Sequence, residues 1–241
     1  MKNNSAMATL VFSFCLAVTG SALLASPIGN ISAGRKYYVA ARDLDQWSAG
    51  AYVKSGKREI RQGDIDSTKA IMYVGYDFFP WVTTFVKGGM NNTTIDSIVP
   101  AQDDDYNMEL GFGMRFNVFH HEILDPTLIE DRIMVNASWE FSSTQARRGF
   151  QDQDFRELQA SATLSIVNDV AGSKLFLPHS IGLFFGPTYS MVDSSGANTR
   201  SEVGLVAGLE VFYTKRVSFH FSMEQIGSGS SSGLVGVHVC L

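Results

Sequence analysis

The chain has 241 residues, 45% of them hydrophobic and 18% charged, with a mean hydropathy of +0.02; this balance excludes a disordered polypeptide and a bundle of membrane-spanning helices. Its formal charge of -5 argues against nucleic acid as a partner. Cys15 and Cys240 are its two cysteines, and because Cys15 falls in a leader segment, no disulfide framework organises the mature fold.

Residues 1–25 read as a signal peptide. Lys2 sits in a short polar head, an apolar run extends from Thr9 to Leu24, and Ala22, Ala25 and Ser26 supply small residues for cleavage. Cys15 lies mid-run, away from the position that lipidation would require. Removing Lys2 with the leader leaves 18 basic against 24 acidic side chains, a net charge of -6. No later apolar stretch reaches the about 18 residues a membrane helix needs, so any later insertion must be by strands. Residues 26–46 are expected to form a periplasmic lead-in, with Tyr37–Ala41 as a short extra strand in one alternative, and residues 47–241 to form the barrel.

Successive side chains of a strand point to opposite faces, so a barrel wall should alternate lipid-facing and lumen-facing residues. Weaker alternation marks Trp47–Lys54, Thr68–Asp77 and Trp81–Gly89. From Tyr106 to Val118 it is complete: Tyr106, Met108, Leu110, Phe112, Met114, Phe116 and Val118 share one face, and Asn107, Glu109, Gly111, Gly113, Arg115 and Asn117 share the other. The pattern recurs over Arg132–Phe141, Arg156–Ile166, Ile181–Met191 and Glu202–Tyr213. It weakens again over Val217–Gln225 and Gly233–Leu241. These ten strands predict an all-β fold, a single antiparallel transmembrane barrel in an up-and-down meander.

Segments of about ten residues suit a tilted membrane crossing. The inward glycines, serines and charges suit a hydrated or ion-paired lumen better than the core of a soluble barrel. With the first strand rising from the periplasm, 78–80, 119–131, 167–179 and 214–216 become periplasmic links. The outside loops are then 55–67, 90–105, 142–154, 192–200 and 226–232, rich in Gly, Ser, Asn and Asp.

The last strand places Val235, Val237, Val239 and Leu241 at alternating apolar positions, which resembles the terminal strand read by the barrel-assembly machinery, with Leu241 where an aromatic residue is customary. The stretch Gly75-Tyr76-Asp77-Phe78-Phe79-Pro80-Trp81 resembles a periplasmic hairpin of small outer-membrane barrels of the OmpA-like and opacity-protein type. The resemblance spans the barrel region as architecture. It implies an outer-membrane location in a Gram-negative-type bacterium, outer-membrane lipid as surroundings, and a role in surface anchoring, adhesion or a narrow pore. The peptidoglycan-binding domain of the OmpA pattern has no counterpart after the last strand.

Lumen-facing charges are the main candidates for function. Lys54, Lys69, Asp77, Lys87, Glu109, Arg115, Arg132, Glu140, Glu157, Glu202, Glu210, His220, Glu224 and His238 fall on the inward face, and in a lumen as narrow as ten strands allow they are expected to pair as a closing polar network. A hydrated porin-like channel for small solutes is the alternative. A sharper arrangement would set Glu210 opposite His220, and His220 opposite His238 across a hairpin centred near Gly229, making a candidate metal or proton-transfer trio.

His120-His121-Glu122 reads as a solvated link and Asp103-Asp104-Asp105 as a solvated acidic loop. The Asn91, Asn92 and Asn136 sequons carry little weight, and inward-facing Cys240 has no partner legible in the sequence. No Gly-x-Ser-x-Gly elbow or Ser-His-Asp set is evident, and the rim residues of the ten-stranded outer-membrane proteases have no evident counterpart. The expected function is therefore a non-enzymatic barrel, structural or surface-interacting, that needs no cofactor; an outer-membrane enzyme with an acid–base site at the lumen rim is the remaining alternative.

Overall fold

The computed structural model describes residues 47–60, 63–79, 81–95, 106–124, 130–148, 151–169, 180–194, 197–213 and 217–241. The expected signal peptide, the lead-in with Tyr37–Ala41, and Asp103–Asp105 lie outside these residues.

Ten strands follow one another: β1 (Trp47–Ile60), β2 (Gly63–Phe79), β3 (Val82–Ile95), β4 (Asn107–Leu124), β5 (Glu130–Arg148), β6 (Gln151–Asp169), β7 (Ser180–Ser194), β8 (Ala197–Phe212), β9 (Val217–Ile226) and β10 (Ser230–Cys240). Each pairs antiparallel with the next, and β10 returns to β1 from Ser48↔Cys240 to Lys57↔Ser231, so the sheet closes without an edge. Beyond the start of β4, a single parallel bridge joins Thr94 of β3 to Arg147 of β5.

The strands run from 10 to 19 residues, longer than the alternation suggested. The β1–β2 pairing continues to Ile60↔Gly63, β5–β6 to Arg148↔Gln151 and β7–β8 to Ser194↔Ala197, so three segments expected as outside loops are largely hairpin arms. Beyond the hydrocarbon both faces meet water, so side-chain alternation fades while the backbone ladder persists. For the same reason β4 runs past a bulge between Asn117 and Phe119 and carries His120-His121-Glu122 inside the strand, where a link was expected.

The outer wall is apolar. Met72, Val86, Met90, Met108, Leu110, Phe112, Leu183, Phe185, Val203, Leu205 and Met223 are all exposed, Met72 at 72%. A soluble monomer does not sustain such a continuous apolar surface, whereas a bilayer requires it. Near the mouth where β1 begins and β10 ends, Trp47 packs on Tyr76 at 4.9 Å and Phe79 stacks on Trp81 at 5.6 Å, making an aromatic collar at interfacial depth. There the Leu241 amide donates to the Trp47 carbonyl at 3.0 Å.

The β6–β7 ladder has a gap. Paired positions pass from Ser161↔Thr188 to Leu164↔Phe185, skipping the two rungs at Gly186-Pro187, because proline supplies no N–H. The Thr188 hydroxyl donates to the Ala160 carbonyl at 3.3 Å beside it.

Candidate functional site

The expected lumen residues project inward, because each stands in phase with the buried positions of its strand. Lys69, Asp77, Lys87, Glu109, Arg115, Arg132, Glu140, Glu210, His220, Glu224 and His238 are buried, and Lys54, Glu157 and Glu202 are partly exposed.

A chain of ion pairs runs along one side of the lumen wall. Lys69 Nζ of β2 lies 2.7 Å from Glu109 Oε2 of β4, Lys87 Nζ of β3 lies 3.7 Å from Glu109 Oε1, and the same ammonium lies 3.1 Å from Glu140 Oε1 of β5. Four adjacent strands are thereby tied together inside the barrel. Asn91 Nδ2 donates to Glu109 and to Thr144, each at 3.2 Å. Asn91, expected in an outside loop, is instead fully buried in β3. The phase of Lys87, Gly89, Asn91 and Thr93 carried that information beyond the last obvious outward hydrophobe.

Beside this ladder, Tyr52, Ile71, Tyr73, Phe85 and Leu234 form a buried apolar cluster inside the barrel. Alternation missed it because an inward aromatic looks like an error in the period. Two of its rings occupy the space over an inward glycine on the neighbouring strand, Tyr73 over Gly50 and Phe85 over Gly113, and the β-carbon of Tyr52 crowds Gly236. Thus inward glycines, read from the sequence as a sign of hydration, serve here as berths for large side chains. The Arg115 guanidinium sits 5.6 Å above the Phe85 ring.

Nearer the chain-end mouth, Tyr73 Oη and His238 Nδ1 share a 2.8 Å hydrogen bond, and His238 Nε2 lies 3.5 Å from Cys240 Sγ. Cys240 therefore has a neighbour that the sequence did not disclose.

The proposed Glu210, His220 and His238 trio is only half assembled. Glu210 does stand opposite His220, but His220 pairs with Gly236, and His238 pairs with Ser218. The reason is the turn. Ile226 pairs with Ser230 across Gly227-Ser228-Gly229, with Gly227 at φ 60°, so the hairpin is centred on Ser228 and not Gly229. The His220 ring stacks on Phe184 at 5.2 Å and bonds Ser222 through Nε2 at 3.1 Å. Among the described residues, no group of three or more His, Cys, Asp or Glu side chains is placed to hold a metal ion.

At the far mouth, Arg58 of β1 reaches across to β6 and β7. Its Nη1 donates to Glu157 Oε1 at 3.0 Å and to Ser190 Oγ at 2.8 Å. Glu224 of β9 accepts a hydrogen bond from Gln159 of β6.

No protein-family model and no curated relative matches the sequence. Among solved structures, the chain resembles the translocator domain of the autotransporter NalP from Neisseria meningitidis at 11% identity and a TM-score of 0.38, covering 88% of this chain and 92% of that one. It also resembles Neisserial surface protein A at 12% identity and a TM-score of 0.35, covering 81% and 97%. The outer membrane protease OmpT from Escherichia coli matches at 10% identity and a TM-score of 0.35, covering 81% and 96%. These are likenesses of shape; the membrane location follows from the protein's own geometry. A closed antiparallel wall, a lipid-facing apolar belt, an aromatic collar and a charged interior make this chain a ten-stranded outer-membrane β-barrel.

Proposed function

We propose that the protein is a non-enzymatic outer-membrane barrel, structural or surface-interacting, whose lumen is closed by its own side chains. The observation that carries this reading is the Lys69–Glu109–Lys87–Glu140 ladder, which spans four strands and is packed against the Tyr52–Phe85 cluster. Charges sealed this deeply persist because each has a counterion and hydrogen-bond partners, and together they fill the space an open pore would require. The mouth formed by the start of β1 and the end of β10 faces the periplasm, and the opposite mouth faces outside. The outward row Val235, Val237, Val239 and Leu241 on and just after β10 supplies the signal for barrel assembly.

Among the described residues, the contacts nearest to a nucleophile–base pair in the lumen interior are Ser222–His220 at 3.1 Å and Cys240–His238 at 3.5 Å. All four residues are almost wholly shielded from solvent, which favours a packing role over turnover.

Planar-bilayer recording of the purified, heat-modifiable barrel tests the proposal. A closed lumen gives no steady unit currents. Reproducible unit conductance from the folded form overturns it.

A further inference from the structure

Beyond the ion-pair ladder the lumen opens into a cavity of about 100 Å³ at the far mouth. Its wall brings together Lys54 and Arg58 of β1, Lys69 of β2, Glu157 of β6 and Glu224 of β9, with serine and threonine hydroxyls between them. Two of the cations are already matched, Lys69 by Glu109 and Arg58 by Glu157.

Lys54 and Glu224 are left without a close ion-pair partner among the described residues. Lys54 stands directly opposite Lys69, an arrangement of like charges that costs energy. It forms no direct ion pair among the described residues and reaches Glu157 and Glu224 only at longer range. Glu224 is 1% exposed; one oxygen is bonded by Gln159, and Oε2 has no partner among the described residues. Arg58 likewise keeps Nε and Nη2 unmatched. Buried groups of this kind are normally completed by water or ligand.

We propose that this vestibule binds a small zwitterion of the free amino-acid class, its carboxylate meeting Lys54 and the open edge of Arg58 and its ammonium meeting Glu224. A simple cation would be repelled by Lys54, and a simple anion would leave Glu224 Oε2 unmatched; one molecule bearing both groups satisfies both. The cavity has room for a small amino acid such as glycine or alanine. The proposal rests on the closed-lumen reading in one respect, that a plugged barrel makes the vestibule a blind cup open to solutes from outside.

The test is calorimetric titration of the refolded full-length barrel with glycine, with acetate and methylammonium as probes of single charge. Glycine is expected to bind saturably, and each single-charge probe about tenfold or more weaker, the scale of one charge-assisted hydrogen bond. Lys54→Met and Glu224→Gln are each expected to weaken glycine binding by a similar factor, with folding verified by the heat-modifiable gel shift. Lys54 is partly exposed, so its variant keeps the test alive if Glu224→Gln fails to fold.

No saturable glycine binding, or unchanged binding by Lys54→Met, overturns the proposal. Acetate binding as tightly as glycine overturns it in favour of a plain anion site. Conductance is read separately on the same sample: a conducting barrel that still binds glycine refutes only the closed lumen, and a silent barrel that binds none refutes only the vestibule site.

Discussion

Phe85 of β3 lies across Gly113, its cross-strand partner on β4, in the space a β-carbon on that residue would need. The carbonyl of Trp139 and the β-carbon of Glu140 crowd the same spot. Gly113→Ala is therefore an overpacking change, expected to cost about 1–3 kcal/mol. Outward-facing Gly88 meets only the tip of Leu110 at 3.3 Å, and Gly88→Ala should cost far less. Urea unfolding in lipid vesicles compares the two; equal costs would mean that Phe85 does not hold its place over Gly113.

The ion-pair ladder makes a prediction about pairs against single changes. Glu109→Met leaves Lys69 buried without its counterion and Lys87 with only Glu140. Removing one partner of a buried pair costs about 3–5 kcal/mol. The double variant Lys69→Met with Glu109→Met keeps Lys87 paired to Glu140 and should recover most of that loss. Vesicle unfolding midpoints for the single and double variants check it, and additive losses would contradict the ladder.

Depth along β4 should be readable as energy. Phe112 lies near the middle of the outward row from Tyr106 to Val118, so Phe112→Arg is expected to cost about 2–4 kcal/mol, whereas Tyr106→Arg at the rim should cost about 0–1 kcal/mol. Equal costs at the two positions would contradict a bilayer on this face.

Cys240 is shielded at 5% exposure and held beside His238. In a Cys15→Ser background, a maleimide should label the folded barrel slowly and the denatured chain at once, since labelling requires an accessible thiolate. Tyr73→Phe removes the hydrogen bond that orients His238 and should speed labelling of the folded form. Gel-shift quantification of labelled chain over time reads both.

The bilayer determined how much of this was legible from sequence. β4 to β8 stood out because one face meets hydrocarbon and the other meets polar groups, imposing a strict period of two on residues such as Leu110 and Glu109. β1 to β3 read weakly because their inward face is also apolar: Tyr52, Ile71, Tyr73 and Phe85 erase the contrast between the faces. The hairpin arms beyond residues 55, 142 and 192 lost the pattern where water reaches both sides.

In the candidate site, Glu210 opposite His220 followed from a short link, while His220 against His238 failed because a run of glycines and serines does not say where a turn is centred. Arg58 reaching Glu157 and Ser190 was invisible, since contacts across a barrel depend on the curvature of the wall and not on strand register.

The missing rung at Pro187 has a mechanical consequence. A ladder hydrogen bond lost in mid-strand leaves the wall more compliant at that point. Thermal breathing of the cross-section will concentrate near that rung, and the amide of Ala162, opposite Pro187, should be among the first in mid-wall to trade hydrogen for deuterium. Were the barrel ever to part sideways along this seam and admit a lipid tail, one fastener would already be open.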